Sequence, residues 1–147
     1  MNQFYIYAFS SPTKKHPDNK FGDFTVSLPH SIDLKDERWR VGLCDISCIG
    51  DTSVQIPDIF ICTDVILSNF DSTTSLPILR FVNRQTSPMQ KVFPNVYYCD
   101  LKSKQIDTVR LYLKTKDKNT PSVANTVLGC TLHFKRDGKL SSNDTRQ

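Results

Sequence analysis

"VLGCTLHFKR" (127–136) reads as a β-strand. Leu128, Cys130, Leu132 and Phe134 fall on one side of a two-residue period, and Thr131, His133 and Lys135 fall on the other. Successive side chains of a strand point to opposite faces, whereas a helix needs its apolar residues three and four apart. The same alternation returns in "TVRLYLK" (108–114), where Val109, Leu111 and Leu113 oppose Thr108, Arg110, Tyr112 and Lys114. It returns again in "FTVSL" (24–28), where Phe24, Val26 and Leu28 oppose Thr25 and Ser27. Pro29 cannot donate to a ladder and is expected to close that strand.

Working outward, "QFYIYAF" (3–9), "WRVGLCDISC" (39–48), "DIFICTDVIL" (58–67), "LPILRFV" (76–82) and "NVYYCDL" (95–101) are bounded by Pro, Gly, Asn, Asp or Ser and read as five more strands. No stretch has a convincing helical period. The connections 10–21, 68–75, 83–94 and 115–126 are long, and none holds a two-residue Asn-Gly or Asp-Gly hairpin turn. Long connections favour crossings between sheets over a run of tight hairpins. The expected fold class is therefore all-β, an eight-stranded antiparallel sandwich of Greek-key or jelly-roll kind, with an immunoglobulin-like sandwich open on strand count alone.

In "RWRVGLCDIS" (38–47), Trp39, Val41 and Leu43 share one face. The chain's single tryptophan thus opens an inward row, and these three residues are expected to anchor the core. A chain of 147 residues is long enough for one domain without staples. Residues 1–140 are expected to form it, with "SSNDTRQ" (141–147) as a polar, disordered tail. Mean hydropathy is −0.37 and no apolar run approaches the ~20 residues that span a bilayer, so no membrane anchor is expected. The first residues are apolar and the lysines follow them, the reverse of a secretory signal. Cys44, Cys48, Cys62, Cys99 and Cys130 lack paired spacing and read as structural thiols in a reducing compartment. On a regular strand Cys44 and Cys48 would share a face about 13 Å apart, beyond disulfide reach.

The net charge of +4 is unevenly spread. Lys102, Lys104, Arg110, Lys114 and Lys116 form an expected basic face, either solvated among Asp100, Asp107 and Asp117 or set against nucleic-acid phosphates. Tyr112 is the one interleaved aromatic. His16, His30 and His133 are scattered, without ligand spacing, and no glycine-rich phosphate loop or nucleophile motif is present. No catalytic residue, metal site or cofactor is expected. His133 is expected to face outward, as a solvated or hydrogen-bonded side chain or a pH-sensitive subunit contact. Arg80, among apolar neighbours, is expected to pair with a carboxylate across the sheet or across a subunit boundary.

Taken together, "FTVSLPHSIDLKDERWRVGLCDIS" (24–47), "LPILRFV" (76–82), "FPNVYYCDLKSKQIDTVRLYLK" (93–114) and "GCTLHFKR" (129–136) resemble, in order and spacing, the minor capsid proteins of Polinton/Maverick-type elements and related adintovirus-like DNA viruses. The resemblance implies a single jelly-roll penton subunit at the fivefold vertices of an icosahedral shell. It implies a homopentamer, a neighbouring double jelly-roll major capsid protein, and residence in the virion after synthesis in a host cell. Contact with packaged DNA through the basic face is a further expectation. Adjacent aromatic pairs such as Phe4-Tyr5 and Tyr97-Tyr98 cannot both point inward, so Tyr5, Tyr7 and Tyr98 are expected at or near subunit boundaries. The alternative from another class is a monomeric basic β-domain that binds nucleic acid or a partner protein.

Overall fold

The structure is a computed structural model, and it describes residues 3–33, 37–50, 53–67, 69–70, 75–102 and 105–139. The described residues hold no helix. The strands in chain order are β1 (Gln3–Phe9), β2 (Asp23–Asp33), β3 (Glu37–Gly50), β4 (Gln55–Ile56), β5 (Ile59–Thr63), β6 (Asn69–Phe70), β7 (Ser75–Leu76), β8 (Ile78–Val82), β9 (Gln85–Thr86), β10 (Met89–Val92), β11 (Tyr98–Asp100), β12 (Gln105–Lys114) and β13 (Thr126–Lys139). Two open antiparallel sheets carry the fold. One runs β1-β13-β3-β10, with β11 also paired to β3, and the other runs β2-β12-β5-β8. The short strands pair as β4 with β9 and β6 with β7.

The inward rows of both sheets meet in one core. Leu128, Cys130, Leu132 and Phe134 of β13 are buried without interruption, and β12 contributes Ile106, Val109, Leu111 and Leu113. On β3 the inward row changes phase, from Trp39, Val41 and Leu43 to Ile46 and Cys48. The cause is a bulge: Leu43 pairs with Leu132 and Asp45 with Thr131, so Cys44 is the extra residue. Cys48 joins the core and Cys44 does not, which corrects the expectation of a shared face.

Pro29 does not end its strand, contrary to expectation. β2 runs on to Asp33, because its ladder to β12 is broken opposite Asp107: Ser27 pairs with Thr108, and Ile32 with Ile106. A proline inside such a bulge leaves no ladder hydrogen bond unmade. The segment 83–94, expected as a connection, contains β9 and β10. The strand expected at 58–67 is cut to β5 by a turn at Asp64-Val65. Asp64 Oδ1 there accepts from the Arg110 backbone N–H at 3.0 Å. The strand expected at 95–101 is only β11, which shares its edge of β3 with β10. The tail 141–147 lies outside the described residues.

Candidate subunit-contact surface

Tyr5, Tyr7 and Phe9 alternate outward along β1, opposite His133, Thr131 and Gly129 of β13. Tyr7 is 69% exposed and Tyr5 52%. Tyr98 pairs with Gly42 on the far side of the same sheet and is half-buried. His133 joins the two sides. The Tyr5 ring stacks on its imidazole at 4.4 Å between centroids, and the Tyr98 hydroxyl lies 2.8 Å from Nδ1. Nε2 lies 2.8 Å from Gln3 Oε1, and the Lys135 ammonium sits 4.0 Å above the Tyr98 ring. His133 does alternate outward, but its neighbours cover it, and burial, followed by the Lys135 charge, lowers its pKa from the ordinary 6.5. Tyr5 and Tyr98 thus belong to one cluster, whereas Tyr7 stands beside it in solvent.

Phe4 faces the other way. Its ring stacks on Phe134 at 4.8 Å and meets Trp39 at 5.7 Å, so the Phe4-Tyr5 pair divides between core and surface. Trp39, Val41 and Leu43 are all buried. Trp39 also forms a wall of a cleft of about 370 Å³ between β1 and β2, lined by Phe4, Ile6, Leu28 and Ile32, with His30 and Ser31 at its rim. The indole Nε1–H is buried and has no hydrogen-bond partner among the described residues.

The opposite edge is built around Arg80. Its Nη1 donates to the Asn95 carbonyl at 2.6 Å, and its guanidinium lies 4.1 Å from the Phe93 ring centroid and 4.7 Å from that of Tyr97. Within the chain the charge therefore finds aromatic faces and a carbonyl, and no carboxylate across the sheet among the described residues, an arrangement open to the flat guanidinium. Phe93 is buried beneath it and Tyr97 is 66% exposed above it. A Cβ on Gly42 would stand 2.9 Å from the Tyr97 carbonyl oxygen and 2.4 Å from Val96 Cγ1. Only glycine lets this corner lie against β3.

The expected basic residues do not form one bare cationic face. Arg110 grips Asp23 through two bonds of 2.9 and 2.7 Å and covers the Tyr112 ring at 4.5 Å. Lys116 pairs with Asp58 at 3.2 Å, and Lys114 donates to Thr120 Oγ1 at 3.1 Å. Lys102 is exposed before β12, and Lys104 lies outside the described residues. The Arg110 hydrogen bonds hold Asp23 below the ordinary 3.8, and the Arg84 backbone N–H followed by Lys116 does the same for Asp58. Asp23 and Asp58 escaped sequence reading, because each lies far along the chain from the cation it meets. All five thiols are free, and burial pushes those of Cys48 and Cys130 up to about 12 and that of Cys62 to about 11. Compared with models of protein families and with the sequences of curated proteins, the chain matches none.

Proposed function

We propose that this chain is a single jelly roll that serves as a structural subunit, a penton protein at the fivefold vertices of an icosahedral DNA-virus shell. The observation that carries the reading is the pairing scheme. With β10 and β11 taken as one interrupted strand, the long strands number eight, and the first pairs with the last, the second with the seventh, the third with the sixth and the fourth with the fifth. That nesting is what a long two-armed hairpin gives when it is rolled into two sheets. It separates the reading from an immunoglobulin-like sandwich, whose strands follow another order. The order of motifs shared with Polinton/Maverick-type minor capsid proteins supports the same assignment.

Both sheets turn their apolar rows inward, so contacts between copies fall to outer faces and edges. Those places carry Tyr5, Tyr7, Phe9, Val92 and Tyr97, all exposed. Aromatic side chains at such positions are the type enriched at interfaces. On this reading the chain works as a homopentamer beside a double jelly-roll major capsid protein, in a virion assembled in the host cell. The nucleic-acid-binding alternative draws less support, because Arg110 and Lys116 already engage Asp23 and Asp58.

Light scattering on a sizing column, run over a range of concentrations with and without the major capsid protein, tests the reading. The expected species is a complex of five 16.8 kDa chains. A chain that stays monomeric under every condition, or a particle structure that places it away from the fivefold axes, overturns it.

A further inference from the structure

We propose that His133 is a proton-operated latch: the neutral ring holds the start of β1 on its sheet, and a second proton releases Gln3–Tyr5 and with them the tyrosine surface alongside. The latch stands on contacts within one chain, and only its effect on assembly rests on the ring reading above.

β1 is an end strand, bonded on one side alone, to β13. Inward, its start is held by Phe4, which stacks on Phe134. Outward, it is held by His133. Tyr98, Gly42, His133 and Tyr5 stand in one row of the register, one on each of β11, β3, β13 and β1. Glycine keeps that row open, since a Cβ on Gly42 would stand 3.1 Å from Tyr98 Cδ1. Across the gap the Tyr98 hydroxyl reaches Nδ1, while Nε2 meets Gln3 Oε1 and the Tyr5 ring stacks on the imidazole. A single buried side chain thus ties the start of β1 to β11 and β13 together.

This tie has no place for a second charge. On β13 itself the neighbouring charge is the Lys135 ammonium, 4.0 Å from the Tyr98 ring centroid. β3 brings Arg40 opposite Lys135, Asp45 opposite Thr131, and the Cys44 thiol beside Tyr98. β11 brings Tyr98 and Asp100, and Asp100 Oδ1 already meets Arg40 at 3.2 Å and Arg38 at 3.6 Å. β1 brings Gln3 and the Tyr5 phenol. Among the described residues, no carboxylate lies within ion-pair distance of either ring nitrogen. An imidazolium here would be covered, beside an ammonium and without a counter-charge, which is costly. The pKa of His133, lowered by burial and then by Lys135, has the sign this demands. Opening relieves the cost, and it is easiest at an end strand, which has one ladder to lose.

Hydrogen exchange read amide by amide, corrected for the intrinsic rate at each pH, tests the latch beside the His133 Cε1–H titration. Amides of residues 3–7 are expected to exchange faster than those of the inner strand β12, with little dependence on urea, as local openings do. Between pH 8 and pH 5 their exchange should rise about fivefold, following the His133 titration. His133→Gln retains groups for both hydrogen bonds and takes up no proton, so the rise should vanish. If that variant does not fold, Lys135→Met at a half-exposed position takes its place, and the loss of the opposing charge should shrink the rise. A rise of wild-type size in the variant used overturns the latch. So does exchange of β1 that ignores pH, or that shares the protection and urea dependence of β12, since the whole chain then opens at once. Sedimentation equilibrium at both pH values reads the effect on assembly: self-association weaker at pH 5 in the wild type alone supports it. Unchanged association with β1 released overturns that effect. A chain monomeric at both pH values overturns the ring reading, while exchange still decides the latch.

Discussion

The Tyr98 hydroxyl and the His133 Nδ1 lie 2.8 Å apart, and the opposite ring nitrogen lies 2.8 Å from Gln3 Oε1. Gln3 offers a carbonyl oxygen, which only accepts, so Nε2 carries the proton and Nδ1 accepts from Tyr98. The network suits a neutral imidazole. A second proton would turn Nδ1 into a donor facing the Tyr98 hydroxyl, beneath the Lys135 ammonium.

The pH dependence of stability follows. Because the folded pKa of His133 is lowered from 6.5, the unfolded chain binds the proton more readily. Stability is then complete above the unfolded pKa. It declines as pH falls through about 6.5 and levels off below the folded value. Asp23 and Asp58, whose pKa values are lowered from 3.8, act only in more acidic solution. Urea titrations from pH 8 to 5 should show the decline in the wild type and its loss in His133→Gln.

Tyr98→Phe keeps the ring beneath Lys135 and removes the hydroxyl. Nδ1 is then left covered and without a donor. The expected cost is about 1 kcal/mol in a denaturant titration at pH 8, the usual size for a hydrogen bond whose partner stays behind. A stability equal to that of the wild type would mean that water replaces the hydroxyl and that the cluster is open.

Trp39→Ala should cost about 3–5 kcal/mol, since it removes a buried ring that packs on Phe4. Trp39→Phe should cost much less than that loss of volume suggests. The unpaired Nε1–H disappears with the indole, and so does its desolvation penalty. Comparing the two midpoints at constant denaturant slope separates packing from the orphan donor.

The uninterrupted alternation of "VLGCTLHFKR" makes β13 the plainest strand, and the bounds of β1 coincide with "QFYIYAF" although its pattern is less regular. What remained hidden came from bulges. Cys44 is an extra residue on β3, and residues 28–31 of β2 stand opposite Asp107 alone, so each interrupts a ladder, and no local composition marks Cys44. Pro29 was a true signal of a missing donor, but a bulge satisfied it as well as a strand end would. Of the adjacent aromatic pairs, Phe4-Tyr5 divides between core and surface, whereas neither Tyr97 nor Tyr98 joins the core. Adjacency did not reveal that Tyr5 and Tyr98 enclose a histidine, since that needs a register spanning three strands. The Arg80 cage was missed for the same reason, as its rings come from beyond the end of β10.

The basic residues give a prediction about nucleic acid. Log affinity for a phosphate backbone falls against log salt with a slope of about −0.9 for each contact on duplex DNA. Arg110 and Lys116 must first leave Asp23 and Asp58. Fluorescence anisotropy with a short duplex is expected to show weak binding and a slope no steeper than about −2.7, the value for the three cations not in those two ion pairs. A slope of about −4.5 would show all five cations on phosphates and would favour the monomeric nucleic-acid-binding alternative.

Two glycine substitutions probe how firmly the Tyr97 corner is seated. At Gly42 a new methyl would meet Val96 Cγ1 at 2.4 Å and the Tyr97 carbonyl oxygen at 2.9 Å. The valine can turn, but the carbonyl belongs to backbone that leads straight into β11, paired to β3 at Gly42 itself. Relief therefore requires the whole corner to lift, and Gly42→Ala should cost on the order of 1–3 kcal/mol, as overpacking does. At Gly129 the methyl would meet the Phe9 ring and Ser47 Oγ at 3.0 Å. Phe9 is 56% exposed and free to swing outward. Gly129→Ala should then cost well under 1 kcal/mol, and the better strand propensity of alanine offsets part of it. Denaturant titrations of the two variants side by side are expected to rank Gly42 far above Gly129. The reverse order would mean that the Tyr97 corner yields easily and that Phe9 is the firmly held ring.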